Sequence, residues 1–461
     1  MDNKDATLEL GTRPVGRLLM QYAIPAIIAM TASSLYNMVD SIFIGQGVGP
    51  MAISGLAITF PLMNLSTAFG AGIGVGAATL LSVKLGQRDY GAAQNILGNT
   101  LVLNTIIGVA FTVVSLAFLD PILHFFGASE RTLPYARDYM EIILLGNVVS
   151  HIYFGQNALL RAAGKPKQAM YMTMFTVVLN TVLDPLFIWP MGLGIRGAAY
   201  ATILSQAVAL VWQLKIFSNR DELIHFKWGI FHLKSSLVKN IIGIGMSPFS
   251  MNVCACFIVI IINTGMVKYG GDMAVGAYGI VNRIAFIFVM ITMGVNQGMQ
   301  PIAGYNYGAL KFDRMMRVLK YAIVAGTGVT TMGFLIGQFL AYPCVRLFTT
   351  DTTLIAMSIH GMHITFITFP IIGYQMVIAN FFQSIGKAKI SVFLSLSRQL
   401  LFLMPLLLIL PPRFGIDGVW ASMPVADTVA AIVAAVMMFI YIKKFKNQQK
   451  QWADGNAESN Y

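Results

Sequence analysis

The sequence predicts an all-α integral membrane protein: twelve transmembrane helices in two pseudo-symmetric six-helix lobes. Three observations carry that reading. Hydrophobic residues make up 56% of the 461-residue chain and charged residues 11%, where a soluble domain has about 45–50% and about 25%. The apolar residues gather in runs long enough to cross ~30 Å of hydrocarbon as helices, about 20 residues each. The second half of the chain also repeats the first. With a mean hydropathy of +0.70, such a chain cannot clothe a water-facing surface. A soluble enzyme, a nucleic-acid binder and a disordered scaffold are excluded as readings of the whole.

The runs, spans 1 to 12, fall at roughly 15–44, 51–82, 93–118, 133–160, 168–190, 195–216, 237–267, 273–303, 317–341, 353–383, 389–410 and 416–442. A transmembrane β-barrel would alternate apolar and polar residues over ~10-residue strands, and these runs do not. The first follows Lys4, Arg13 and Arg17 as the core of a signal peptide would. It is too long for one, carries Pro25 and Asp40, and lacks a small-residue cleavage site, so it is read as a membrane helix. Cys254, Cys256 and Cys344 make no disulfide framework.

The net charge of +12 reads as topology rather than as a nucleic-acid surface. With a cytoplasmic N-terminus, inner tails and loops carry 23 Lys and Arg and outer segments 6, leaving Arg283 and Arg398 inside spans. The positive-inside rule then puts both termini in the cytoplasm, as an even number of spans requires. A multi-pass protein of the cell's inner membrane is expected.

The repeat has an offset of 222 residues: GPMAISGLAI (49–58) matches GDMAVGAYGI (271–280), Gly86 falls on Gly308, and AAGKPK (162–167) on SIGKAK (384–389). GIRG (194–197) matches GIDG (415–418) after the loss of one residue. Six spans per copy insert both copies the same way up, a parallel repeat of the kind found in secondary transporters. The division is a first lobe at 1–216, a cytoplasmic linker at 217–236, a second lobe at 237–446 and a polar tail at 447–461, read as disordered. Two lobes facing a central cavity, in a monomer among membrane lipids, is the expected picture. Gly70, Gly72, Gly74 and Gly76 form two small-xxx-small pairs that let helices approach closely. Gly164-Lys165 lacks the remaining features of a phosphate loop, and no segment has room for a nucleotide-binding domain. No nucleotide, nucleic acid, metal or organic cofactor is expected, and no enzyme. The drive is expected to be an ion gradient.

An ionised side chain at mid-bilayer costs roughly 2.5–3.5 kcal/mol on insertion scales, so acids within spans are functional candidates. Asp40 in span 1 and Asp184 in span 5 are the clearest. Tyr36 stands four residues before Asp40 and Asn180 four before Asp184, each pair on one helix face. Thr202 in span 6 and Tyr139 at the entry to span 4 can reach the same chamber. Two carboxyls sharing a dry site do not both stay ionised, so the pair can take up a proton outside and lose it inside. The same oxygens, from Asp40, Asn180, Asp184 and Thr202, can alternatively hold Na+.

At this point the residues resemble a known family. IP (24–25) followed by MVDSIFIG (38–45), LNTVLDPLFIWP (179–190), GLGIRGAAYAT (192–202) and GMQPIAGYNYGAL (298–310) are similar to the multidrug and toxic compound extrusion (MATE) family, over about 13–445. The resemblance implies a twelve-helix, two-lobe drug–cation antiporter. It also implies that the coupling residues of proton-coupled bacterial and archaeal members fall on Asp40, Asn180 and Asp184, with Tyr36, Tyr139, Asn157 and Thr202 as companions. Sodium-coupled members carry acids in spans 7 and 10; here 241–267 and 353–383 contain no Asp or Glu. Coupling is therefore assigned to the first lobe.

Other intramembrane groups are secondary. Asp427 in span 12 is a candidate for coupling or for contact with a cationic substrate. Arg283 and Arg398 are expected to neutralise carboxylates or helix ends, and Arg283 is also a candidate substrate contact. Glu141 is expected to reach interfacial water, and His151, His360 and His363 to pack. Methionine is flexible and polarisable and suits surfaces that repack around different ligands. Met246, Met251, Met266, Met290, Met293 and Met299 lie in spans 7 and 8, and Met266 and Met293 are taken as candidate substrate contacts. The resulting expectation is a proton-coupled exporter of cationic amphiphilic small molecules. The alternatives are a sodium-coupled antiporter using the same site, or a lipid-linked saccharide exporter of the same superfamily.

Overall fold

The computed structural model describes residues 9–458; residues 1–8, Lys4 among them, and 459–461 lie outside the described residues. The described residues form helices and no strand. Span 1 is Val15–Gly47, span 2 Pro50–Gly86, span 3 Tyr90–Ala117, span 5 Pro166–Ile188, span 6 Gly194–Ser218 and span 9 Phe312–Phe339. Spans 7 and 8 form one run, Ser235–Gly308, interrupted at Gly271. Its φ of 72° with ψ of −173° is a conformation essentially reserved for glycine.

Spans 4 and 10 are each broken. Span 4 divides at Gly146 into Leu133–Leu145 and Asn147–Ala162. Span 10 divides into Thr352–Phe366 and Phe369–Ser384, bent by 53°. Pro370, in the first turn after that break, has no N–H to continue the ladder. Span 11 runs from Ala388–Leu396 through a π-helical turn at Ser397–Leu403 into Met404–Ile409. Pro405 lies just past the widened turn and lacks the N–H that a regular helix would direct to Leu401. Span 12, Ile416–Glu458, continues as helix through the polar segment read as disordered from sequence. Its Lys and Gln residues there are good helix formers, so polarity was a poor guide to disorder. Twelve transmembrane helices result.

The repeat is reproduced in the turns. Arg88 and Leu310, the two non-glycine residues with positive φ among those described, have φ of 59° and 57° and stand 222 apart. Gly49 and Gly271, and Gly164 and Gly386, also have positive φ at that offset; Gly194 and Gly415 do so one residue short of it. The third span of each copy is 28 residues long, Tyr90–Ala117 and Phe312–Phe339.

Contacts divide the chain into two compact units. One is built on Ile28–Val253; the other takes Cys254 onward together with Arg13–Ile27. Each unit therefore contains the opening turns of the other copy's first span. In the first unit a Cβ on Gly76 would fall on the Ile241 carbonyl, and one on Gly72 would lie 3.1 Å from the Gly245 oxygen. In the second, Cβ atoms on Gly294 and Gly298, the repeat positions of Gly72 and Gly76, would lie 2.6 Å from atoms of Ile27 and Ala23. Gly70 and Gly74 face His151 and Gly155 instead. The glycine ladder thus serves two helix contacts, as small-xxx-small spacing allows.

The linker lies against the start of span 3. Gln94 Nε2 donates to the His225 carbonyl (2.6 Å), and Asn99 Nδ2 to the carbonyls of Ile230 (3.1 Å) and His232 (3.0 Å). The Lys234 N–H donates in turn to Asn99 Oδ1 (2.8 Å). Ile230 sits over Gly98, where no side chain would fit, and Lys165 pairs with Glu222. The three cysteines are free.

Candidate functional site: a proton-sharing carboxyl pair

Spans 5 and 6 bring the site's polar residues together. Asn180 and Asp184 are one helical turn apart on span 5, and Pro185 follows at once. Proline has no N–H, so the Thr181 carbonyl loses its ladder partner beside the acid. The Asn180 amide nitrogen donates to Asp184 Oδ2 at 2.8 Å. Its oxygen faces Thr202, 3.1 Å from the backbone nitrogen and 3.2 Å from the hydroxyl. From span 1, the Tyr36 hydroxyl lies 3.1 Å from the Thr202 hydroxyl. Tyr139 of span 4 is buried beside Thr202, Asp40, Asp184 and Tyr36.

Asp40 completes the group. It is 6% exposed, Asp184 is fully buried, and the two carboxyls lie side by side. An ionised carboxylate only accepts hydrogen bonds. Two carboxyls this close can bond each other only by holding a proton between them, which leaves the pair one negative charge. Asp40 Oδ1 is buried with no hydrogen-bond partner among the described residues. The arrangement has room in its chemistry for a second proton, or for one cation.

Some expected members lie elsewhere. Asn157 belongs to another polar group: its Nδ2 donates to the Ala169 carbonyl (3.0 Å) and to Thr173 Oγ1 (3.4 Å), and its Oδ1 accepts from Arg161. Ala169 is eleven residues before Asn180 on span 5, ~16 Å along the helix. Sharing span 4 with Tyr139 did not place Asn157 beside it. Met266 is fully buried in the second unit's hydrophobic core, while Met293 is half-buried. Arg283 is exposed, and no carboxylate pairs with it among the described residues.

Arg398 does neutralise a carboxylate. Its Nε lies 2.6 Å from Asp427 Oδ1, and Asp427 is only 3% exposed. The π-helical turn sets Arg398 toward span 12, opposite an acid that would otherwise stand alone. Glu141 pairs with Arg137 (2.9 Å), which also reaches Asp120 (3.1 Å). His151 packs beneath Gly70, its Nε2 3.2 Å from Ser66 Oγ. His360 lies 2.7 Å from Asp417.

Sequence reasoning passed over three buried amides in the first unit: Asn104, Gln156 and Gln213, with no partner for either polar atom. It also counted Arg161 as a loop charge, whereas that residue lies within Asn147–Ala162 and bonds Asn157. The signal was available in the amides' position within spans; only charged residues had been weighed there.

The chain has relatives of known structure and name. A family model described as MatE matches residues 25–186 and again 248–409. The multidrug export protein MepA of Staphylococcus haemolyticus (strain JCSC1435) is 27% identical over 425 residues, 92% of this chain and 93% of its own. A crystal structure of MATE in the bent conformation superposes with a TM-score of 0.91 at 25% identity, covering 96% of this chain and 99% of that one. The outward-facing conformation of a multidrug resistance MATE family transporter of the MOP superfamily gives 0.90 at 25% identity, covering 95% and 98%.

Proposed function

The chain belongs to the MatE family, and from that premise we propose that it exports cationic, lipophilic small molecules across the cell membrane in exchange for protons. The observation that carries the proposal is the burial of Asp40 and Asp184 side by side. A carboxyl pair holding one proton has a negative charge for a monocation to compete for and a vacancy for a second proton. Protonation from the outer side removes that charge and favours release of the cation; loss of the proton inside restores it. A lipid-linked saccharide exporter would need several free cations for a pyrophosphate; of the two within spans Arg398 is already paired with Asp427, which leaves Arg283 alone.

Purified protein in proteoliposomes is expected to move ethidium or a phosphonium cation against its gradient once a proton gradient is imposed. Failure to move any such monocation under any ion gradient overturns the proposal.

The same reading puts the linker and both chain ends in the cytoplasm, supported by 23 cationic residues on that side against 6 on the other. Reporters fused after Tyr461 and within 217–236 should both report the cytoplasm. An external signal from either one reverses the orientation.

A further inference from the structure

The two repeats finish the face of their third span differently. In the first, Gln94, Gly98 and Asn99 are covered by the linker's main chain. The equivalent positions on span 9 are Met316, Lys320 and Tyr321, and Arg317 stands where the first repeat has Asn95. There the same face is open, as a pocket of about 450 Å³ lined by Asp313, Met316, Arg317, Lys320 and Tyr321. The helices beneath are packed alike: Ala93, Ile96 and Leu97 are buried, and so are Met315, Val318 and Leu319. Only the outer face has changed, from buried Gly98 and Asn99 to exposed Lys320 and Tyr321.

The character of the change indicates the ligand. Gln94, Asn95, Gly98 and Asn99 have given way to a methionine, two cations and a phenol. Neither Arg317 nor Lys320 has a carboxylate partner among the described residues, and the pocket's own acid, Asp313, accepts from Gln449 Nε2 (3.1 Å). Arg314 is turned away, donating to Asn306 Oδ1 (3.1 Å) and the Arg13 carbonyl (2.6 Å). Along the same face the cations are followed by Tyr321 and then by exposed Val324. That order runs from headgroup to hydrocarbon: tyrosine favours the membrane interface, and basic pockets at the cytoplasmic ends of helices take acidic headgroups.

We propose that this pocket binds the phosphate-bearing headgroup of an anionic phospholipid of the inner leaflet, the place that the linker's carbonyls fill in the first repeat. An occupant from the chain itself would be the tail segment 450–461, which carries Asp454 and Glu458. The interfacial order of Lys320, Tyr321 and Val324 favours the lipid.

Native mass spectrometry of the full-length protein in detergent tests this, with phosphatidylglycerol, phosphatidylcholine and inorganic phosphate as probes. Phosphatidylglycerol should be retained over phosphatidylcholine. The double variant Arg317→Gln/Lys320→Gln should bind it about 30-fold more weakly, since each cation near an acidic lipid contributes ~1 kcal/mol and 1.4 kcal/mol is tenfold. Phosphatidylcholine adducts should not change. Unaltered phosphatidylglycerol binding in the variant overturns the proposal. So does displacement of the lipid by an equal concentration of inorganic phosphate, which would mark a site for the free anion. Truncation after Gln449 should leave the lipid count as it was; a lipid gained on truncation would identify the tail as the occupant. The readout is binding, so it stands apart from whether the chain transports protons or dyes.

Discussion

Asp40→Asn and Asp184→Asn should each abolish gradient-driven efflux while leaving a folded, membrane-inserted protein. An amide cannot titrate, but its nitrogen can donate where the shared proton now donates. Asp40→Asn therefore keeps a donor toward Asp184 but loses Oδ1 as the seat of the second proton, whose uptake the exchange requires. If one proton returns for each monovalent dye exported, no net charge crosses and only the pH gradient drives transport. One pH unit is worth about 1.4 kcal/mol per proton, about a tenfold dye gradient at steady state. In either variant that tenfold ratio should collapse to one, measured as dye distribution across proteoliposomes with a fixed pH difference. Undiminished accumulation in either variant removes that residue from coupling. Asp427→Asn is the comparison: its carboxylate pairs with Arg398 in the second unit, so a milder loss is expected.

Efflux should run on an imposed pH gradient in the complete absence of sodium, and dye binding should weaken on acidification. The sign follows from the charge of the pair. With one proton between them, Asp40 and Asp184 present one negative charge; a second proton makes them neutral and removes the attraction for a cation. Binding measured by fluorescence polarisation should fall as pH is lowered through uptake of that second proton. A pair this close titrates as a unit, so one transition is expected rather than separate steps for the two residues. Asp40→Asn should flatten the profile. If sodium alone drives efflux and a pH gradient does not, the cluster of Asp40, Asn180, Asp184 and Thr202 is a cation site and the proton mechanism fails.

Much of this architecture was readable before any coordinates. Spans announce themselves because burying a helix in lipid demands an unbroken apolar run, and the repeat survives as matching turns because Gly49, Gly164 and their partners occupy backbone conformations few residues tolerate. Asp40 and Asp184 were conspicuous because a carboxylate in hydrocarbon is costly. Neighbours along one helix, Tyr36 and Asn180, followed from the helical period. What helical period cannot supply is the register between helices. Asn157 came from the family resemblance and Met266 from span and residue type, and the fold set the one beside Arg161 and the other in a core. Arg283 and Arg398 looked equivalent as lone cations within spans. Only the turn at Ser397–Leu403 distinguishes them, and a π-helical turn leaves no mark in composition.

The exchange of opening turns between the two units has a consequence for how the chain is made. Residues 13–27 are translated well before the rest of the unit they belong to, which is made up of Cys254 onward. The first unit, for its part, lacks its contacts at Gly72 and Gly76 until residues 241–245 have been translated. Neither repeat can mature on its own during insertion. The earliest helix must wait, half-docked, until Gly294 and Gly298 have been made, and a chain arrested at the linker would leave two incomplete glycine seams exposed to lipid and to quality control.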